Sequence, residues 1–112
     1  MGLKNDLQRD EGLDFCKNNG IVMRNIITLF RRGWFKYRDL LTSLDAYNLT
    51  REDVIDAVLY FDDREYIEAR DIKTHEIIRI CDAESLQDLE LRLKADGVLI
   101  GKSILEDAGI DL

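Results

Sequence analysis

The stretch VIDAVLYFDDREYIEARDIKTHEIIRICD, residues 54–82, changes its hydrophobic period partway along. Val54, Ile55, Val58 and Phe61 recur at helical spacing and predict a helix with one apolar face. Beyond Asp62-Asp63 the period drops to two. Tyr66 and Ile67 mark a β-forming segment over Glu65–Arg70. His75–Asp82 alternates, with Ile78 and Ile80 on one side and Ile77, Arg79 and Cys81 on the other. Asp71-Ile72-Lys73-Thr74 is a turn between them, so the helix leads into a β-hairpin. Thr50 stands where an N-cap belongs, with Asp53 at the third helical position, and this places the helix start.

Working towards the N-terminus, Asp45–Asn48 breaks a preceding helical pattern over about Lys36–Ala46, whose core stripe is Tyr37, Leu40, Leu41 and Leu44. Trp34-Phe35 forms a bulky connection, and Gly33 suits a left-handed helix end. Before it, Ile21–Arg32 carries Val22, Ile26, Leu29 and Phe30 on one face, with Arg24, Thr28 and Arg31 opposite. Asn18-Asn19-Gly20 predicts a stop and a new start, because Asn is a good N-cap. Residues 1–18 are then an N-terminal arm or short helix, residues 19–82 the core, and residues 83–112 an extension of the same domain.

Working towards the C-terminus, Leu89, Leu91 and Leu93 alternate with Glu90, Arg92 and Lys94, which favours a third strand. A helix over Ala95–Ile104 follows, packing Val98, Leu99 and Ile104. Gly109 marks a turn in the tail. The fold class expected is α+β: three helices, a hairpin, then a C-terminal strand and helix.

That order resembles the winged helix-turn-helix superfamily, and Ile21–Asp82 carries the pattern. Residues Val58 to Glu68 look like a helix-to-wing junction. Leu93-Lys94-Ala95-Asp96-Gly97 resembles the Leu-Thr-x-x-Gly segment that follows the wing in bacterial and phage-type members, with Lys94 in place of Thr. The resemblance implies DNA binding, with the third helix in the major groove and the wing on the backbone or minor groove.

Charge bears on that implication. From Phe15 to Arg38 there are six bases and no acid, whereas Asp39–Leu112 holds eight bases and nineteen acids. The net charge is −7, so contact with a polyanion must rest on local charge. The third helix would present Asp53, Asp56 and Tyr60, and carboxylates there repel phosphate. Candidate nucleic-acid contacts are therefore Arg24, Arg31, Arg32, Lys36 and Arg38, with Arg51 at the start of the third helix and Lys73 on the wing. Trp34, Phe35 and Tyr37 interleave with these bases, either to stack on nucleobases or to fill the core. An alternative is a protein-interaction module in which Asp53, Asp56 and Tyr60 meet a basic partner.

Other classes find little footing. His75 has no orienting partner in the sequence, and no nucleophile–base order is present, so an enzyme is not expected. Cys16 and Cys81 lack metal-ligand spacing and read as reduced, structural thiols. No cofactor and no metal are expected. The apolar runs are too short for a membrane span, and MGLKNDLQRDEG has no apolar signal core, so a cytoplasmic location is expected. A homodimer through the terminal segments is plausible for such a domain, without a heptad repeat to specify it.

Overall fold

The computed structural model describes the backbone of residues 3–31 and 33–112, and the side chains of residues 12, 14–31 and 33–112. The chain is α+β. Helix α1 spans Leu3–Phe30, strand β1 Phe35–Lys36, α2 Tyr37–Ser43 and α3 Arg51–Asp63. Strands β2 (Ile67–Asp71), β3 (Ile77–Ile78) and β4 (Leu89–Leu93) precede α4 (Ala95–Gly101). The sheet is antiparallel in the order β1-β4-β2-β3.

Alternation in the strands separates the two faces of the sheet. Phe35, Leu91, Ala69 and Ile78 lie across from one another in register on the inner face. Lys36, Glu90, Arg70 and Ile77 form the matching outer row. The inner row meets Val22, Met23 and Ile26 of α1, Leu40 of α2, and Val54, Ala57, Val58 and Phe61 of α3, all buried. Burying a side chain of this size contributes about 1.5–3 kcal/mol, so the single core made by these residues dominates stability.

Helix α3 begins as its sequence requires. The Thr50 hydroxyl accepts from the Asp53 amide at 3.1 Å, and the Asp53 carboxylate accepts from the Thr50 amide at 2.9 Å. Helix α1 ends at Phe30, whose carbonyl accepts from the Gly33 amide at 2.7 Å. Gly33 has φ +89°, a conformation that favours glycine.

Several expectations need correction. Asn18-Asn19-Gly20 does not interrupt the first helix, which runs unbroken through it. Asn19 and Gly20 are buried instead beneath the C-terminal tail. The Asn19 amide nitrogen donates to the Gly109 carbonyl at 2.8 Å. A Cβ on Gly20 would stand 1.8 Å from the Asp111 carbonyl oxygen, so the tail's backbone occupies the space a side chain would need. The residues that resemble a helix break are a docking notch.

Helix α2 is shorter than its periodic pattern: Phe35-Lys36 pairs with Leu91 and Glu90 as a strand before the helix begins, and the helix ends at Ser43. The second arm of the hairpin is likewise cut short. The Asp62 carboxylate accepts from Arg79 Nε and from the Ile80 amide, each at 3.0 Å. That pulls the chain off the sheet edge into a 3-10 turn over Ile80–Asp82 and buries Ile80. Helix α4 ends at Gly101, leaving Ile104 69% exposed while Ile100 takes the core position. Its N-cap is Lys94, which makes no side-chain capping bond.

The tail is not loose. The Asp107 side chain is 5% exposed and accepts from the Tyr60 and Tyr66 hydroxyls, 2.5 Å in each case, and from the Gly109 amide at 2.7 Å. Burial raises its carboxyl pKa, but the bonds from Tyr60, Tyr66 and Gly109 outweigh that and hold it below the usual carboxylate value. Burial and the same carboxylate push Tyr66 up to about 12.

Candidate nucleic-acid interface

The cationic side chains divide into two populations. Arg64, Arg70, Arg79, Arg92 and Lys94 each pair with a carboxylate: Asp107, Glu90, Asp62 with Asp63, Glu68 and Glu65 respectively. Among the described residues, Lys17, Arg24, Arg31, Lys36, Arg38, Arg51, Lys73 and Lys102 make no ion pair. The paired group lies at the end of α3 and beyond. Most of the unpaired group lies on α1, β1 and the first turns of α2 and α3.

Helical periodicity places the first of these. Val22, Met23 and Ile26 point into the core, so Arg24, Thr28 and Arg31 emerge on the opposite side of α1, all exposed. Arg24 and Arg31 are separated by about 10 Å along the axis at 1.5 Å per residue. Arg32 lies outside the described residues. Lys36 is half-buried on the outer face of β1, across from Glu90. Arg38 follows on α2 and is exposed. Arg51 is exposed at the start of α3, close enough to the buried Tyr37 hydroxyl to oppose the rise in its pKa that burial causes. Arg51 therefore lies near the Tyr37 hydroxyl.

Lys73 differs. It shares the end of the sheet with Lys36, since Lys36 pairs with Glu90 and Asp71 with Leu89. Its turn is built on carboxylate, however. Asp71 Oδ1 accepts from the Lys73 and Thr74 amides at 2.8 and 2.9 Å, and Asp88 follows through its carbonyl to Ile72. Those backbone bonds, Thr74 first, lower the Asp71 pKa. Lys73 therefore sits among anionic groups, a poorer phosphate contact than the arginines of α1.

The aromatic residues fall mainly on the core-filling side. Phe35 is 6% and Tyr37 3% exposed, so neither is available to a nucleobase. Trp34 is half-buried against two guanidinium groups, Arg70 at 4.1 Å and Arg92 at 4.8 Å from its ring centroid. Both arginines stand on the outer face of the sheet, paired with Glu90 and Glu68. This charged ladder around one tryptophan was not anticipated, although the alternation of Glu68, Arg70, Glu90 and Arg92 would have placed all four on one face.

Helix α3 offers little to a polyanion. Glu52, Asp56 and Asp63 are exposed, Asp53 serves the cap, and Asp62 is tied to Arg79 and Ile80. Tyr60, expected to project outward, is half-buried: its hydroxyl is held by Asp107, and its ring meets Phe15 edge-on at 5.4 Å. The two tyrosines that hold Asp107 lie more than 40 residues away, so no local sequence pattern points to their meeting.

Among the described residues, no group of three His, Cys, Asp or Glu side chains is placed to hold a metal ion, and no helix is long and apolar enough to cross a membrane. Comparison with protein-family models, with curated proteins and with solved structures gave no match.

Proposed function

We propose that the chain is a small winged-helix protein, a regulator or accessory factor, that binds duplex DNA through the outer side of α1 and the β1–α2 junction rather than through α3. The order α1-β1-α2-α3-β2-β3-β4, with β1 paired to β4 and β4 to β2, supports the winged-helix reading. The observation that carries the DNA reading is the set Arg24, Arg31, Arg38 and Arg51, unpaired among the described residues, in a chain whose later arginines are each paired with acid. Each such cation placed on a phosphate releases condensed counterion, which favours binding. Carboxylates on α3 oppose entry into the groove, so contact is with the backbone and sequence preference is weak.

The test compares Arg24→Ala, Arg31→Ala and Arg38→Ala with Lys102→Ala on a random duplex at low salt. The three arginine variants should each weaken binding several-fold, and the lysine variant should leave it within twofold. Equal effects at all four positions would remove the assigned surface.

A second reading, a protein-interaction module, draws on α3 itself. Glu52 and Asp56 are exposed on it beside the half-buried Ile55, an acidic strip suited to a basic partner helix. An Asp56→Arg variant that lost partner capture while DNA binding stayed absent would favour this reading.

A further inference from the structure

The C-terminal tail is fixed to the body of the protein, yet it leaves apolar side chains outside. The Cys16 carbonyl accepts from the Asp111 amide at 3.0 Å, and the Gly109 carbonyl accepts from Asn19 at 2.8 Å. Ile110, between these points in the chain, is buried. Among the described residues, the large hydrophobic side chains left exposed are Tyr47, Ile77, Ile104, Leu105 and Leu112. The last three follow α4, at 69%, 37% and 40% exposure. Single exposed apolar residues are ordinary, but a group of them held on a fixed frame marks a contact surface. Leu105 and Leu112 line one open groove of about 500 Å³, which also reaches the buried Ile100 and Ile110.

Charge decides what can cover it. Glu106 and Asp111 stand on the same lining, both exposed and neither in an ion pair among the described residues, and no basic side chain lines the groove. A second copy docked about a two-fold axis would bring both acid pairs into one contact, and like charges there oppose association. An anionic lipid surface is repelled for the same reason. No strand borders the groove, so an incoming chain cannot extend the sheet and must satisfy its own backbone. A helix does so, and one whose apolar face is bordered by lysine or arginine matches the leucines and the carboxylates together.

We propose that this groove receives the apolar face of a basic amphipathic helix from a protein partner. None of the cations assigned to DNA lines it, and it is separate from the acidic strip of α3, so each surface stands or falls by itself.

The test is a fluorescence-anisotropy titration of two labelled peptides with the full chain at moderate salt. One peptide carries four repeats of Leu-Lys-Lys-Leu, the other four repeats of Ser-Lys-Lys-Ser. The leucine peptide should bind at least tenfold more tightly. Leu112→Ser should weaken it at least fivefold, and so should Glu106→Gln/Asp111→Asn, which alters only exposed carboxylates. Glu52→Gln/Asp56→Asn on α3 should leave it within twofold. Equal binding of the two peptides would mean charge attraction alone and would overturn the proposal. So would affinity unchanged in the tail variants, or an equal loss in the α3 variant. A dimer of the free chain that Leu112→Ser dissociates would give the groove to a second copy instead. Binding to phosphatidylglycerol vesicles that the same variant abolishes would give it to a membrane, and either result overturns the assignment.

Discussion

The Tyr66 hydroxyl donates to the Asp107 carboxylate across 41 residues of sequence, and with Tyr60 it pins the C-terminal tail to the junction of α3 and β2. Two phenols and a backbone amide converge on one nearly buried charge. Removing that charge leaves three donors poorly matched, so Asp107→Asn should destabilise the fold by about 2–3 kcal/mol, the usual worth of hydrogen bonds to a charged group. Because the folded carboxyl titrates below its unfolded value, this contribution is complete above about pH 4 and disappears as pH falls through the folded pKa. Urea unfolding of both proteins at neutral pH and near pH 3 should show a gap that narrows in acid.

Tyr66 titrates the other way. Its folded pKa of about 12 exceeds the ordinary value of 10.0, so folding favours the neutral phenol. That stabilisation is present below pH 10 and is lost as pH rises towards 12. Absorbance at the phenolate band should show tyrosine ionisation extending towards pH 12, and Tyr66→Phe should shrink that late step while the upward shifts of Tyr37 and Tyr60 remain.

The notch for the tail predicts opposite outcomes for two glycines of α1. Gly20→Ala drives a methyl group into the Asp111 backbone and should cost about 3 kcal/mol. Gly12→Ala meets nothing within 4 Å and should stabilise the helix by about 0.5–1 kcal/mol. Thermal unfolding of the pair separates a helix-propensity effect from a steric one.

These positions also mark what sequence conveys. The Thr50–Asp53 cap, the left-handed Gly33 and the alternation of Leu89–Leu93 are local signals, and each produces the structure its chemistry predicts. Asn19 and Gly20 carry the same residue types as a helix break. Their cause lies at residues 109–111, some ninety positions away, where no local pattern reaches. The short β3 has a similar origin, since Asp62 captures the Ile80 amide from another element. Of the site, the exposure of Arg24 and Arg31 follows from helical period alone. The fates of Tyr60 and Trp34 were set by partners distant in sequence.

Trp34 provides an optical check, being the only tryptophan. With Arg70 and Arg92 packed against its ring, it is not free to stack on nucleobases. Saturation with duplex or single-stranded DNA should change its fluorescence by no more than about a tenth, whereas base stacking would quench it strongly.

The most direct measurement is the dependence of the duplex dissociation constant on salt. Three or four backbone contacts by Arg24, Arg31, Arg38 and Arg51 give a log–log slope of about −3 for the binding constant. Arg31→Ala should reduce that slope by about one and weaken binding alike on unrelated sequences. A slope near zero, or no association even at the lowest salt, would contradict DNA binding through α1 and the β1–α2 junction.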